Sequence, residues 1–452
     1  MAELQKEERK NYLFTDEYLK KLIWPLVLEQ LLSVTVGMAD TMMVSNVGEA
    51  AVSGVSLVDM INNLIFAVFS ALATGGAVVA THYLGAGKQE DACRSANQLL
   101  LTVAASSVII TALSMVFCRQ VLRLLFGKID DDVMENAMIY FMISALSFPS
   151  LAIYNADAAL FRSMGNSKIT LVVAAIVNVV NVTGNAICVF GLHMGTAGVA
   201  VPSLISRTLG AVILHILLLN RNLEVHYVKG YRPDFPLIRR ILYIGVPNGI
   251  ENGIFQLGRV LVVSIISGFG TAQIAANGVA NSLDTCGCLI GSAISLAMIT
   301  VIGQCVGAQD EEQIRYYTKK LLVIDYIASA IVIAGILIFL KPILKIYGLS
   351  PEAERLSWIL VMIHNGVAAF LWPLAFVLPN MLRACNDVKF TMIVSIASMF
   401  IFRVGFSYVI GVNMGMGVIG VWIAMVIDWI CRITFFVGRY LRGTWKKTMR
   451  RM

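Results

Sequence analysis

Residues 24–43 read WPLVLEQLLSVTVGMADTMM, and inside that apolar run Pro25 is followed four residues later by Glu29. The spacing recurs 222 residues on, where Pro247 precedes Glu251 in PNGIE. A proline removes one backbone donor and frees a carbonyl in the preceding turn, so each glutamate sits beside a weak place in a helix where bending is expected. Other landmarks repeat at nearly the same offset. LGAGKQED at 84–91 answers VGAQDEEQ at 306–313, FRSMGNSK at 161–168 answers LRACNDVK at 382–389, and GLHMG at 191–195 answers GVNMG at 411–415. Four shared landmarks in one order identify an internal duplication.

Composition fixes the solvent. Of 452 residues 58% are apolar and 14% charged, with a mean hydropathy of +0.77, and such a chain cannot bury its apolar surface in a water-soluble globule. In hydrocarbon the repeated apolar stretches must be helical, so that every backbone group is bonded internally. The pattern predicts an all-α integral membrane protein with twelve spans, near 20–47, 53–82, 96–118, 134–160, 169–190, 198–219, 241–268, 273–304, 319–340, 356–380, 390–411 and 418–439. Six spans fall in each half. An even number per half predicts two six-helix bundles related by a pseudo-two-fold axis along the membrane normal. The expected division is an amino-terminal lobe over 1–219, a linker loop over 220–240, and a carboxy-terminal lobe with a basic tail over 241–452. Pro25, Pro149, Pro247 and Pro373 make bends plausible in four spans.

Lysine and arginine set the orientation. The segments on the side of the two termini hold about 25 basic residues and those on the other side about six, which predicts both termini in the cytoplasm. The net charge of +7 is accounted for by these topology-setting residues and anionic lipid, so no nucleic-acid partner is expected. The charged first eighteen residues lack an apolar core with a cleavage site, so the first span itself should direct insertion. The eight cysteines form no metal-binding pattern; Cys286 and Cys288 lie two apart in a predicted helix and point to different faces. Nothing resembles a nucleophile elbow or a phosphate loop, so no enzyme activity and no cofactor are expected.

Function should reside in ionisable residues that the bilayer makes expensive. These are Glu29, Asp40, Asp59, Asp157, Arg207, Glu251, Arg259, Asp284, His364, Arg403, Asp428 and Arg432, with Arg162 and Arg383 near helix ends. Asp40 lies fifteen residues past Pro25, about 22 Å along an ideal helix, in the outer half of the first span. There it could exchange a proton or hold a sodium ion; a hydrated structural aspartate is the alternative. Asn178, Asn181 and Asn185 crowd into two turns of the fifth span, with Asn181 and Asn185 on one face. They could bind water, a carboxylic acid or a cation, or they could join helices. Glu29 and Glu251 suit a cationic ligand, or they pair with an arginine such as Arg259 or Arg403. Asp428 and Arg432 are spaced to neutralise each other, and His364 reads as a packing residue. Asp284 would line a cavity. Phe148, Tyr154, Trp372 and Phe376 are candidates for stacking on aromatic ligands, and Met38, Met42 and Met43 for an adaptable apolar wall or plain filler.

The run WPLVLEQLLSVTVGMADTMMVSNVGEAAVSGVS, with its proline and an aspartate fifteen residues on, resembles the first helix of the multidrug and toxic compound extrusion (MATE) family. GGAVVATHYLGAGKQEDA and VIGQCVGAQDEE resemble that family's paired ends of helices two and eight, and ALFRSMGNSK and NMLRACNDVK its paired arginine loops. The resemblance covers nearly the whole chain. It implies a bacterial, inner-membrane, proton- or sodium-coupled antiporter, monomeric, that exports lipophilic and mostly cationic compounds, with Asp40, Asn181, Asn185 and Ser203 at the coupling site. Glu251, Glu29, Asp284, Trp372 and Arg403 are the cavity candidates, and Pro25 and Pro247 the bending points. Where NorM-type members carry an aspartate in helix ten this chain has Trp372, which puts a carboxy-terminal sodium site in doubt. Glu29 and Arg403 look more like the DinF side of the family. The competing expectation is a flippase or exporter of lipid-linked or other amphiphilic metabolites.

Overall fold

The computed structural model describes residues 12–45, 47–127, 130–229 and 232–450. Its membrane helices, in chain order, are α1 (Asp16–Ser45), α2 (Glu49–Gly85), α3 (Gln89–Val116), α4 (Asp131–Leu146 and Phe148–Ser163), α5 (Ser167–Ala186, extended by a π-helical turn over Ile187–Gly191) and α6 (Ala197–Leu218). The second half repeats the set. It comprises α7 (Phe235–Ser267), α8 (Thr271–Gly287 and Leu289–Gly307), α9 (Glu311–Ile338), α10 (Pro351–Ala384), α11 (Val388–Asn413) and α12 (Gly417–Leu441). Among the described residues eleven helices are each long and apolar enough to cross a membrane, and the two parts of α4, taken together across their bend, are a twelfth.

Several helices begin earlier than hydropathy alone predicts. Capping explains two of them. Asp310 accepts from the backbone N–H groups of Glu312 and Gln313, both at 3.0 Å, and starts α9 eight residues before the expected span; Asp234 accepts from Leu237 at 3.2 Å and starts α7. The bends are also distinct from a simple proline rule. α4 breaks by 46° at Ser147, two residues before Pro149, and Pro373 opens a π-helical turn within α10. Pro25 and Pro247 stay inside continuous helices. The break of α8 at Cys288 has no proline to announce it.

Core packing crosses the expected division of the chain. Leu19, Leu22 and Leu26, on the first turns of α1, belong to a buried cluster with Ala293, Ile294 and Ala297 of α8. Reciprocally, Leu237, Ile241 and Ile244 at the start of α7 join the cluster of Leu72, Val78 and Val79 on α2. The first helix of each half thus begins against the second helix of the other half.

That exchange creates a lock at the end of the molecule where both termini lie. The His82 ring nitrogen Nε2 lies 2.7 Å from the carbonyl oxygen of Ala384, and 222 residues on, Gln304 Nε2 donates to the carbonyl of Ser163 at 2.8 Å. Thr300 adds a bond to the carbonyl of Arg162 at 3.1 Å. Gly85 and Gly307 make the approach possible. A Cβ on Gly85 would lie 2.6 Å from the carbonyl carbon of Gln304, and one on Gly307 would lie 2.9 Å from the Ala86 nitrogen and the Gly85 Cα. The segment before α1 fastens to the same end, because Phe14 gives its N–H to the Tyr317 hydroxyl at 2.9 Å and takes that hydroxyl's proton on its carbonyl at 2.7 Å.

Candidate functional site

Further from the termini a cavity of about 660 Å³ lies between the two halves, within the range of ligand pockets. α1 contributes Glu29 and Asp40, α4 Tyr154 and Arg162, α5 Asn178 and Asn181, and α6 Ser203 and Arg207; the second half supplies Asn252, Ser292, Ser295, Trp372 and Phe376. Two carboxylates thus face two guanidiniums. The lining is balanced in charge and rich in amides and hydroxyls.

The four residues assigned to coupling by resemblance come together as one hydrogen-bonded chain. Asn185 Nδ2 donates to Asp40 Oδ1 at 2.6 Å and to Asn181 Oδ1 at 3.3 Å, and Asn181 Nδ2 donates to the Ser203 hydroxyl at 2.9 Å. The spacing of the asparagines puts them on the inner face of α5, and Ser203 meets them because α6 packs alongside. Asn185 Oδ1 is buried without a partner, so the cluster has an oxygen lone pair to offer a cation or a protonated carboxyl. On neighbouring helices the Tyr140 hydroxyl donates to Asp59 at 3.1 Å, and Arg207 of the cavity wall donates to Ser147 at 2.9 Å.

The two glutamates are paired, but not with the arginines expected. Arg162 Nη1 reaches Glu29 Oε1 at 3.4 Å, while Thr170 donates to Glu29 Oε2 at 2.8 Å. Arg383 Nη2 reaches Glu251 Oε1 at 2.7 Å. Each Pro-x-x-x-Glu therefore meets the arginine of its own half's FRSMGNSK or LRACNDVK loop, because those loops fold back beside the proline turn; Arg259 and Arg403 lie elsewhere. Glu29 lines the large cavity. Glu251 lines a smaller one of about 170 Å³, with Asn252 and Phe376 as common walls.

Asp284 and Arg403 were expected in the cavity, and the structure places both outside its lining. Asp284 is buried inside the carboxy-terminal half, where His364 Nδ1 lies 3.0 Å away and Asn365 donates at 3.2 Å. His364 in turn sits among Trp372, Trp422 and Trp429, as a packing residue would. Arg403 lines a void of about 40 Å³ with Arg259, stands 4.0 Å from Asp428, and covers the Phe255 ring. Asp428 pairs with Arg432 at 2.9 Å, the neutralisation their spacing predicts. Trp372 does face the cavity and stacks on Phe376 with ring centroids 4.0 Å apart. Phe148 is buried in the core and Met42 is exposed; the Met38 side chain lies outside the described residues.

Two residues, Asp325 and His82, and the partners of Asp157 escaped the sequence reading. Asp325, fully buried on α9 and bonded to Ser329 at 2.9 Å, was hidden in an apolar run. Asp157 accepts from the Tyr227 hydroxyl and lies 3.5 Å from His215 Nδ1, which pins the connecting loop to α4. His82 carries the lock described above. None has a spacing pattern that sequence alone could flag.

A duplicated twelve-helix membrane protein with a polar cavity between its halves has the architecture of a secondary transporter. The family model MatE matches residues 25–187 and 247–409, beginning each time on the proline that opens the repeat, and the chain belongs to that family. An "Uncharacterized transporter YisQ" of Bacillus subtilis is 27% identical over 426 residues, covering 92% of each chain. A "Probable multidrug resistance protein NorM" of Thermotoga maritima is 27% identical over 456 residues, covering 97% of this chain and 96% of that one. Among solved structures, an "Outward-facing conformation of a multidrug resistance MATE family transporter of the MOP superfamily" superposes with a TM-score of 0.89 at 19% identity, over 96% of both chains. A MOP superfamily transporter from Pyrococcus furiosus, titled for the reverse polarity of its binding pocket, gives 0.88 at 18% identity over 96% of both.

Proposed function

We propose that the protein is a proton- or sodium-driven antiporter that exports amphiphilic organic compounds, cationic drugs among them, from the cytoplasm of a bacterial cell across its inner membrane. The observation that carries this reading is the Asp40–Asn185–Asn181–Ser203 chain at the wall of the interlobe cavity. Asp40 is the ion-coupling group. Asn185 holds its carboxylate and Asn181 holds Asn185, and the amide oxygens offer a dehydrated sodium ion the ligands that water supplied, or a proton an accepting network. The lock at the termini face, on the cytoplasmic side by the positive-inside rule, makes this an outward-facing arrangement. An ion captured at Asp40 from outside removes a negative charge from the cavity wall and weakens its hold on a cationic compound; by reciprocity the bound compound lowers the affinity for the ion. Each molecule acts as a monomer, since both halves of the cavity come from one chain.

A flippase for pyrophosphate-linked lipids would need an excess of cations in the cavity. Arg162 and Arg207 are matched by Glu29 and Asp40, which favours the antiporter. The test is efflux of a fluorescent cationic dye from proteoliposomes under a pH gradient and then a sodium gradient. Driven efflux by wild type and its loss in Asp40→Asn is the expected result. Movement of a labelled lipid with no movement of dye under either gradient would replace this reading with the flippase.

A further inference from the structure

At the seam between the halves, on the face that carries the termini, the structure contains a further cavity of about 370 Å³ lined by Pro236, Arg239, Arg240, Tyr243, Asn386 and Thr448. Lys389 stands at its edge, with Nζ 5.3 Å from the centre of the Tyr243 ring. Three cationic side chains converge and the lining contains no carboxylate. The acids nearest in sequence are already engaged: Asp387 takes two bonds from Arg439 at 2.7 and 3.1 Å, and Asp234 pairs with Arg94 at 3.1 Å. Arg239 has no carboxylate partner among the described residues. Like charges gathered without a counter-ion repel one another, so a group of this kind calls for an anion.

The surroundings select the kind of anion. Tyr243, Val246 and Ile250 follow one another along the outer surface of α7, and Ile393 stands one turn beyond Lys389 on α11, all of them exposed. Two apolar rails therefore run from the cationic cavity into the depth of the hydrocarbon. A soluble anion would use only the cavity. A phospholipid would use the cavity for its phosphate and the rails for an acyl chain. We infer that this seam binds the headgroup of an anionic phospholipid.

Arg240 gives the site a reach into the lock. Its Nη1 donates to the Tyr83 hydroxyl and its Nη2 to His82 Nδ1, both at 3.2 Å. A guanidinium can only donate and a carbonyl can only accept, so His82 is held as the neutral imidazole with its proton on Nε2, aimed at Ala384. Arg240 has five N–H groups, and those not committed to Tyr83 and His82 remain for a phosphate. A lipid phosphate anchored by Arg239 and Lys389 fixes Arg240 in the position that orients His82, and so stabilises the closed termini face.

The test uses the purified full-length protein in neutral detergent, with thermal unfolding followed during titration by short-chain dioctanoyl phosphatidylglycerol, dioctanoyl phosphatidylcholine or sodium phosphate. Arg239→Gln/Lys389→Gln leaves the Arg240–His82 contact in place, and Arg119→Gln/Arg123→Gln, on the short helix Cys118–Phe126 after α3, serves as the control. Phosphatidylglycerol should raise the unfolding temperature of wild type and control alike, while the zwitterionic lipid and inorganic phosphate at equal concentration should not. At roughly fivefold per basic residue, the Arg239→Gln/Lys389→Gln protein should need about 25-fold more phosphatidylglycerol for the same shift. Equal titration curves for that variant and wild type, or no shift of wild type, would overturn the inference. An equal shift with inorganic phosphate would overturn the lipid and leave a free-anion site.

Discussion

Replacing Gly307 by alanine should open the termini face. A Cβ there would stand 2.9 Å from both the Ala86 nitrogen and the Gly85 Cα, and the mirror change at Gly85 would put one 2.6 Å from the carbonyl carbon of Gln304. Ordinary contact between such atoms begins near 3.5 Å. Every neighbour is backbone, the nearest to a Cβ on Gly307 being the His82 carbonyl oxygen, so no side chain can rotate away and α2 and α8 must separate by about 1 Å or more. A movement of that size disrupts His82–Ala384 at 2.7 Å, Gln304–Ser163 at 2.8 Å and Thr300–Arg162 at 3.1 Å. At about 1 kcal/mol net for each bond, the closed face loses about 2–3 kcal/mol, or roughly 30- to 140-fold in its population relative to an open one. Spin labels at Lys168 and Lys319, exposed on opposite halves, would report this by pulsed electron resonance, in a background where Cys188, Cys286, Cys288 and Cys431 are serine. Gly278→Ala is the companion, because its Cβ meets nothing within 4 Å; it should leave the distances unchanged. A Gly307→Ala protein with the wild-type distance distribution would refute the steric reasoning.

Asp40→Asn should insert and fold normally yet lose gradient-driven efflux, because the amide keeps an acceptor for Asn185 but can neither take up a proton nor supply the negative charge that draws a cation; retained driven efflux would remove Asp40 from the coupling role. Glu251→Gln should cost about 3–5 kcal/mol of stability by leaving Arg383 buried without its counter-charge, and Glu251→Gln/Arg383→Met should recover most of it in thermal unfolding. No recovery in the double variant would mean that the ion pair is not what the glutamate supports. Tyr227→Phe removes a donor from the fully buried Asp157 and should cost about 1–3 kcal/mol, seen as faster hydrogen exchange across 219–229; unchanged exchange would show that the loop is held by other contacts.

The duplication, the number of spans and the shared face of Asn181 and Asn185 were readable from residues, because each leaves a local or periodic trace: a proline four residues before a glutamate, apolar runs of membrane length, asparagines at i and i+4. The partners of Glu29 and Glu251 were not. Arg162 and Arg383 lie more than 130 residues away near the ends of other helices, while Arg259 and Arg403 lie within spans and looked like natural partners for buried acids. What decided the pairing was the folding of each arginine loop against the proline turn, a tertiary fact with no spacing of its own. The same holds for Asp284, whose place inside the carboxy-terminal half depends on His364 and Asn365 arriving from α10. Asp325 was lost for the opposite reason. One carboxylate in LLVIDYIASA hardly lowers the hydropathy of the run around it.

The repeat also separates what is shared from what is particular. The lock obeys the duplication closely: His82 answers Gln304, Gly85 answers Gly307, and Ser163 answers Ala384, so both halves contribute equivalent bonds to one face. The Asp40–Asn185–Asn181–Ser203 cluster, proposed above as the coupling site, does not obey it. At the repeat offset Asp40 corresponds to Val262, and the stretch of α11 that corresponds to Asn181 and Asn185 reads IFRVGF over 401–406. There a guanidinium, Arg403, stands near the level where the other half has an amide chain, and it is directed to Asp428. A cation cannot be held stably beside Arg259, Arg403 and Arg432 with one aspartate already paired among them. Closing the termini face needs matched halves, since the two must meet; the ion site proposed at Asp40 needs only one. The asymmetry at Asp40 favours the amino-terminal half as the seat of the proposed coupling.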